Sequence, residues 1–450
     1  MASATTAQSI PPEIIREIFK HFSTPLILYM LSNPRVPVFP WYLGHICSLW
    51  RAVFMSMYDG FWCKYKLHLA PIPNPSRSRS IIAQTTQFLE RTTGRPFSFQ
   101  IDGQDIYDEP SAQVFRLLAA ESSHWQEASF TISETKIPIL SGIRNRVQCL
   151  RSLELALVPA ISWRPAPPAA QVLPAGCEDL FESAPLLTRI MLSSLSTWRF
   201  NWHIVTSFHL TNHVDIVNNE HLFRRLPYMT NLEELAIDVT LPRTLIQSLE
   251  DALIVLPRLR LLRVAQLDIL PHLSTPSLEQ LCLRLQVFWT DWSFYEECRS
   301  FFGRVGGPLQ YLSFRQGYPV LPDILPHVVQ LKMLGLHLRF MSARSDYFRF
   351  LACSGGEQSV VPNLETLRIY CESLGEEATN AINDMVTSRT IERPSTVKPL
   401  RRIIFVVLEG QYNIDMACFD SLKQHCALCE VEFRTELTQI RPVFCEDFLV

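Results

Sequence analysis

One short pattern recurs down this chain and constrains its fold more than any other feature. It reads Leu-x-x-Leu-x-Leu, with other apolar residues allowed at the three fixed positions. Copies stand at Leu150/Leu153/Leu155, Leu187/Ile190/Leu192, Val205/Phe208/Leu210 and Leu232/Leu235/Ile237. They continue at Leu259/Leu262/Val264, Leu278/Leu281/Leu283, Leu309/Leu312/Phe314, Leu331/Leu334/Leu336, Leu364/Leu367/Ile369 and Leu400/Ile403/Phe405. Trp125/Ala128/Phe130 and Leu428/Val431/Phe433 read as degenerate copies at the two ends. The last two fixed positions are two residues apart, so in a strand both side chains point to one face. One such strand cannot bury that face alone, whereas stacked neighbours can.

Several copies share a lead-in: Pro185-Leu186-Leu187, Asn231-Leu232, Pro257-Arg258-Leu259, Pro276-Ser277-Leu278, Pro308-Leu309, Pro362-Asn363-Leu364 and Pro399-Leu400. A proline fits there because the strand has not begun and no ladder amide is needed. Between copies, residues 245–253 and 378–386 have helical periodicity. The pattern resembles the leucine-rich repeat, whose period is roughly 20–29 residues. Here the first positions are 18 to 37 residues apart. The asparagine that usually follows the third leucine is missing. The resemblance implies an α/β chain: an irregular solenoid with a parallel sheet over residues 81–450. The same strands would suit an α/β domain with an unrelated parallel sheet, but the shared lead-in favours the solenoid.

The first seventy residues read differently. Residues 12–22 place Ile14, Ile18 and Phe22 on one helical face, with Ile15 and Phe19 beside them. Pro11 and Pro12 suit a helix start, where the first amides have no intrahelical partner. A second helix is expected from about Tyr42 to Met57, with Leu43, Ile46, Cys47, Trp50, Val53 and Phe54 at spacings of three and four. Two short helices carry more apolar surface than a segment this small can bury alone. A partner or the downstream chain must cover the rest.

Three blocks then carry a resemblance. Ile10-Pro11-Pro12-Glu13-Ile14-Ile15-Arg16-Glu17-Ile18-Phe19 resembles the opening of an F-box. Ile46-Cys47-Ser48-Leu49-Trp50-Arg51 resembles its Val-Cys-x-x-Trp-Arg centre, and Phe61-Trp62 its closing Leu-Trp. Ile10 replaces the usual leucine, and the connection between helices is long. Large fungal F-box families carry such a connection, often ending in a pair like Leu43-Gly44. Their following segment is similar to residues 87–99 and 123–125 here. The resemblance implies a small all-α F-box over residues 8–70 that binds the adaptor subunit of an SCF-type cullin–RING ubiquitin ligase, and through it a cullin. Its adaptor contacts would be Ile10, Pro11, Pro12, Ile14, Ile15, Ile18, Phe19, Leu43, Cys47 and Trp50. Residues 71–80, rich in proline, serine and arginine, are expected as a linker. The long remainder would hold an unknown protein target.

Composition excludes other classes. Net charge is −3, from 41 basic and 44 acidic side chains, so no global field favours nucleic acid or membrane. Glycine, at 15 residues, is too scarce for folds built on phosphate-binding loops. No nucleophile elbow, zinc-protease helix or Walker loop is present. We therefore expect no catalytic residues, no cofactor and no enzymatic activity. The N-terminus has no apolar segment typical of a signal peptide, so cytoplasm or nucleus is expected. The twelve cysteines read as small buried hydrophobes. Cys418, Cys426, Cys429 and Cys445 could in principle complete a zinc site, but buried thiols around a terminal strand suit the pattern better.

A binding surface remains to be placed. Residues between and after the inward leucines face the other side of the sheet. Arg263, Arg284, Arg315, His337 and Arg368 would form a basic stripe there, and guanidinium forks suit carboxylates and phosphates. The alternative is a solvated face balanced by Glu279 and Glu365.

Overall fold

The computed structural model describes residues 10–22, 26–29, 41–68, 75–92, 94–102, 109–158, 173–193, 197–211, 220–239, 253–284, 293–315, 321–338, 345–353, 360–371, 373–408, 413–414 and 416–438. The chain divides into two compact units, Met1–Met229 and Thr230–Val450.

In the first unit, β1 (Leu26–Tyr29), β2 (Lys64–His68), β3 (Phe97–Asp102), β4 (Trp125–Ser133), β5 (Ser152–Val158), β6 (Arg189–Leu192) and β7 (Ser207–Thr211) pair in chain order, all parallel. In the second, strands Glu234–Asp238, Leu261–Val264, Gln280–Arg284, Tyr311–Arg315, Met333–Leu338, Thr366–Cys371, Arg402–Leu408 and Glu432–Thr438 do the same. Parallel neighbours in chain order are the arrangement a stacked repeat requires.

The recurring pattern sets the register. Leu262 faces Leu235 on one side and Leu281 on the other; Leu312, Leu334, Leu367 and Ile403 continue the row. All of these side chains are fully buried. Each contributes roughly 1.5–3 kcal/mol by leaving water. A one-residue slip would turn every one of them outward.

The lead-in has its own ladder. The amides of Arg260, Glu279, Gln310, Lys332, Glu365 and Arg401 donate to the carbonyl oxygens of Glu233, Arg260, Glu279, Gln310, Lys332 and Glu365, each at 2.9 Å. Side chains in this row also pair. Arg260 grips Glu279 with two bonds of 2.9 and 3.1 Å, and Lys332 reaches Gln310 at 3.0 Å. Opposite charges on adjacent strands agree with the register set by the leucines. The missing asparagine is replaced locally. Ser193, directly after Leu192, accepts the Leu157 amide at 2.7 Å and donates to the Leu157 carbonyl at 3.3 Å. Thr211, directly after Leu210, donates to the Leu192 carbonyl at 3.4 Å.

Several expectations need correction. The N-terminal segment is not all helical, because β1 and β2 lie within residues 8–70. Leu26 faces Tyr65, Tyr65 faces Phe99, and Phe99 faces Ala128. Aromatic residues fill the leucine positions there, so the pattern is invisible. Within the expected linker, residues 75–80 are helical, as the start of α3 (Pro75–Thr92). The helix expected over 42–57 is two pieces, a 3-10 turn Trp41–His45 and α2 (Ser48–Ser56), joined through an extended Cys47. The helix expected over 378–386 is found as Glu376–Thr390. Residues 245–252 of the other expected helix lie outside the described residues.

At the C-terminal end the copy read as Leu428/Val431/Phe433 sits two residues out of place. Ile403 faces Phe433, not Val431. Leu428 ends the helix Met416–Leu428 and is 79% exposed. Glu430 takes a left-handed conformation, φ 57°, to reverse the chain. The strand therefore starts only at Glu432. No helix among the described residues is long and apolar enough to cross a membrane.

Candidate functional site

The first candidate surface is the N-terminal helical module. Its helix α1 (Pro12–Lys20) buries Ile15 and Phe19. The Phe19 ring meets Trp50 at 5.2 Å, Phe54 at 5.9 Å and Phe61 at 6.1 Å, all edge to face. That geometry suits the aromatic quadrupole. The Trp62 indole donates to the Phe54 carbonyl at 3.2 Å. The Leu43-Gly44 and Trp50-Arg51 pairs serve one another. A Cβ at Gly44 would lie 3.3 Å from the Phe54 ring, and Arg51 Nε donates to the Gly44 carbonyl at 2.9 Å. The arginine thus ties the 3-10 turn to α2.

This module is not an isolated bead. Arg91 of α3 lies 4.4 Å over the Trp62 ring. Tyr65 of β2 stacks on Phe88 of α3 at 4.7 Å, and Phe88 meets Phe97 of β3 at 5.7 Å. The buried Tyr65 hydroxyl bonds Thr85 at 2.6 Å, and burial holds its pKa well above the usual phenol range.

The expected adaptor contacts divide into two groups. Ile15, Phe19, Leu43 and Trp50 are buried in the module's own core and present no face to a partner. Ile10, Pro11, Pro12, Ile14, Ile18 and Cys47 keep exposed surface. Ile14 is 51% exposed, and two residues outside the expected set join it, Tyr42 at 56% and Ile46 at 46%. Phe22 and Met55 are also exposed. Exposed apolar side chains gathered in one small module are unusual where its core is otherwise closed.

The second candidate is the sheet face opposite the leucine row in the second unit. The expected basic stripe resolves into two rows. Arg263 faces Cys282, followed by Ser313, Gly335 and Arg368; Arg284 faces Arg315, followed by His337 and Tyr370. Arg284 and Arg315 are in register, but their side chains lie outside the described residues. Arg368 is no free grip. It is buried, pairs with Glu436 and lies 5.2 Å over the Tyr370 ring. His337 stacks on Tyr370 at 3.6 Å and 6°. Gly335 leaves a dip beside these groups. A Cβ there would meet Ser313 Oγ at 2.8 Å and the Tyr311 hydroxyl at 3.4 Å.

Among the C-terminal thiols, Cys426 and Cys429 are buried. Burial pushes Cys426 up to about 12. His425 Nε2 lies 2.8 Å from the Thr387 hydroxyl and 3.7 Å from Cys429 Sγ. Cys445 lies outside the described residues. Among those described, no group of three or more His, Cys, Asp or Glu side chains could hold a metal ion.

Fold and surfaces together define a mixed α/β chain with long parallel sheets and an apolar-faced helical module. No protein-family model and no curated protein sequence matches it. Among solved structures it is similar to a leucine-rich repeat protein of Leptospira interrogans. That likeness has 14% identity, covers 81% of this chain and 99% of the other, and has a TM-score of 0.28. So low a score leaves the repeat reading to rest on the strand register alone.

Proposed function

We propose that the chain is a substrate receptor of an SCF-type cullin–RING ubiquitin ligase, acting in the cytoplasm or nucleus. In this reading the N-terminal module is an F-box that docks the adaptor, and the leucine-rich repeat sheet holds a protein target. The chain catalyses nothing itself. It raises the effective concentration of target and charged ubiquitin-conjugating enzyme. The observation that carries the reading is the exposure of Ile14, Tyr42 and Ile46 on a module whose core is closed around Phe19. The three F-box-like blocks supply the adaptor's identity.

A second reading is a repeat scaffold with no ubiquitin role. It is favoured by β1 and β2, which continue the parallel sheet as a terminal cap would.

Co-purification with recombinant adaptor separates the two. The full chain should capture the adaptor, and the double variant Ile14→Glu/Ile46→Glu should lose it while keeping its thermal melt. Deleting residues 1–70 would be a poor test, because it removes two sheet strands. If the intact chain captures no adaptor, the scaffold reading stands.

A further inference from the structure

We propose that a cleft of the first unit, walled by residues 200–203 and 224–228, binds a peptide segment of a partner protein by gripping an oxyanion beside an apolar side chain. The cleft holds about 480 Å³ and is lined by Phe200, Asn201, Trp202, His203, Arg224, Arg225 and Tyr228. That volume suits a few side chains of a bound segment.

Aromatic rings in mutual contact form one wall. Trp202 meets Phe200 edge to face at 5.0 Å and Phe208 at 5.9 Å, while Tyr228 meets His203 at 6.2 Å and 88°. The Arg225 guanidinium lies 5.3 Å over the Trp202 ring. This contact holds the half-buried fork at the cleft while Arg224 beside it is exposed.

Among the described residues the charge is unbalanced, because no acidic one lines the cleft. Elsewhere in the unit arginines find carboxylates, as Arg144 finds Asp179 and Arg189 finds Glu127, both at 2.7 Å. Among the described residues no carboxylate pairs with Arg199, Arg224 or Arg225. Burial lowers the pKa of Arg225, and the charge of Arg199 lowers it further. Like charges gathered in a partly buried site are unfavourable until an anion offsets them. A guanidinium fork matches a phosphate or carboxylate in geometry, and the aromatic wall suits a neighbouring apolar side chain. Nucleic acid fits less well, because it needs a long basic track and the chain is net acidic.

The inference rests on the target-holding half of the proposed function and not on adaptor docking, so the two fail separately. The test is fluorescence anisotropy on the full chain with three labelled Phe-containing peptides: one with phosphoserine, one with Glu in its place, one with Ser. At least one acidic peptide should bind about tenfold or more tighter than the Ser peptide, as one charge-assisted bond allows. A phosphoserine preference would identify a phosphorylated target, and equal binding a carboxylate. Arg224→Ala/Arg225→Ala should weaken that peptide about tenfold or more, and the exposed single change Arg224→Ala should weaken it measurably. Arg401→Ala, a charge control outside the cleft lining, should not. Equal binding of the Ser peptide, no binding of any peptide, undiminished binding by the double variant, or tighter binding of a single-stranded oligonucleotide would each overturn the proposal.

Discussion

Arg389 donates from Nε to the carbonyl oxygen of Leu351 at 2.6 Å, and the same guanidinium reaches the Val361 carbonyl at 3.1 Å. Leu351 ends the helix Ser345–Leu351, and Val361 precedes the lead-in of the next strand. One fully buried fork on the helix Glu376–Thr390 thus joins three segments. Arg389→Ala should cost about 3–5 kcal/mol, from two stranded carbonyls and a cavity. Arg389→Lys should recover only part, because one ammonium lacks the fork. Urea unfolding of both variants measures this.

Two neighbouring glycines should respond differently to substitution. A Cβ at Gly306 would fall 2.0 Å from the His327 carbonyl oxygen, whereas one at Gly307 would meet nothing within 4 Å. Gly306→Ala should therefore force the turn Leu325–His327 away from the helix Ser293–Val305 and lower Tm by several degrees. Gly307→Ala should leave it nearly unchanged. Equal melts for the two would contradict the close approach.

The leucine rows and the charge ladder lie side by side but differ in weight. Leu281→Ala should cost about 2–5 kcal/mol, since its row cannot collapse around the gap. Arg260→Ala removes an exposed ion pair, and its effect should be small and vanish in high salt. Denaturant midpoints at two salt concentrations would compare them.

Cys426 should be inert to alkylation in the folded chain near neutral pH and react on unfolding. Its folded pKa, about 12, lies above the ordinary thiol value of 9.0. The unfolded state then loses its proton first as pH rises. Stability linked to this thiol is intact below pH 9 and falls between about 9 and 12. Cys426→Ala should flatten the pH dependence of stability across that window relative to the parent chain.

The fold was legible where leucine itself marked the strand. Within each unit, from Leu153 to Leu210 and from Leu235 to Phe405, every expected pair of inward positions falls on the observed register, because period-two burial leaves one register open to each strand. Reading failed where other physics took over. Tyr65 and Phe99 occupy the same rows without the leucine signature. The left-handed turn at Glu430 delayed the last strand by two residues. On the N-terminal helix, periodicity could not tell Ile14 from Ile15, since only packing against Phe54 and Phe61 decides which side is closed. The arginine–aromatic cleft left no periodic trace, because a 3-10 turn and a helix more than fifteen residues apart build it.

The uneven spacing of the pattern has a consequence for how such a chain can change. Each strand of a unit is aligned by hydrogen bonds to the strands immediately before and after it. A connecting segment can therefore lengthen without re-aiming the next leucine, and each doubling of a flexible loop costs only about 0.6 kcal/mol. Insertions accumulate between strands at little penalty, while a one-residue insertion within a strand is ruinous. Variation is channelled into the connections, so relatives of this chain should differ most in loop length and least in the spacing of the paired inward residues.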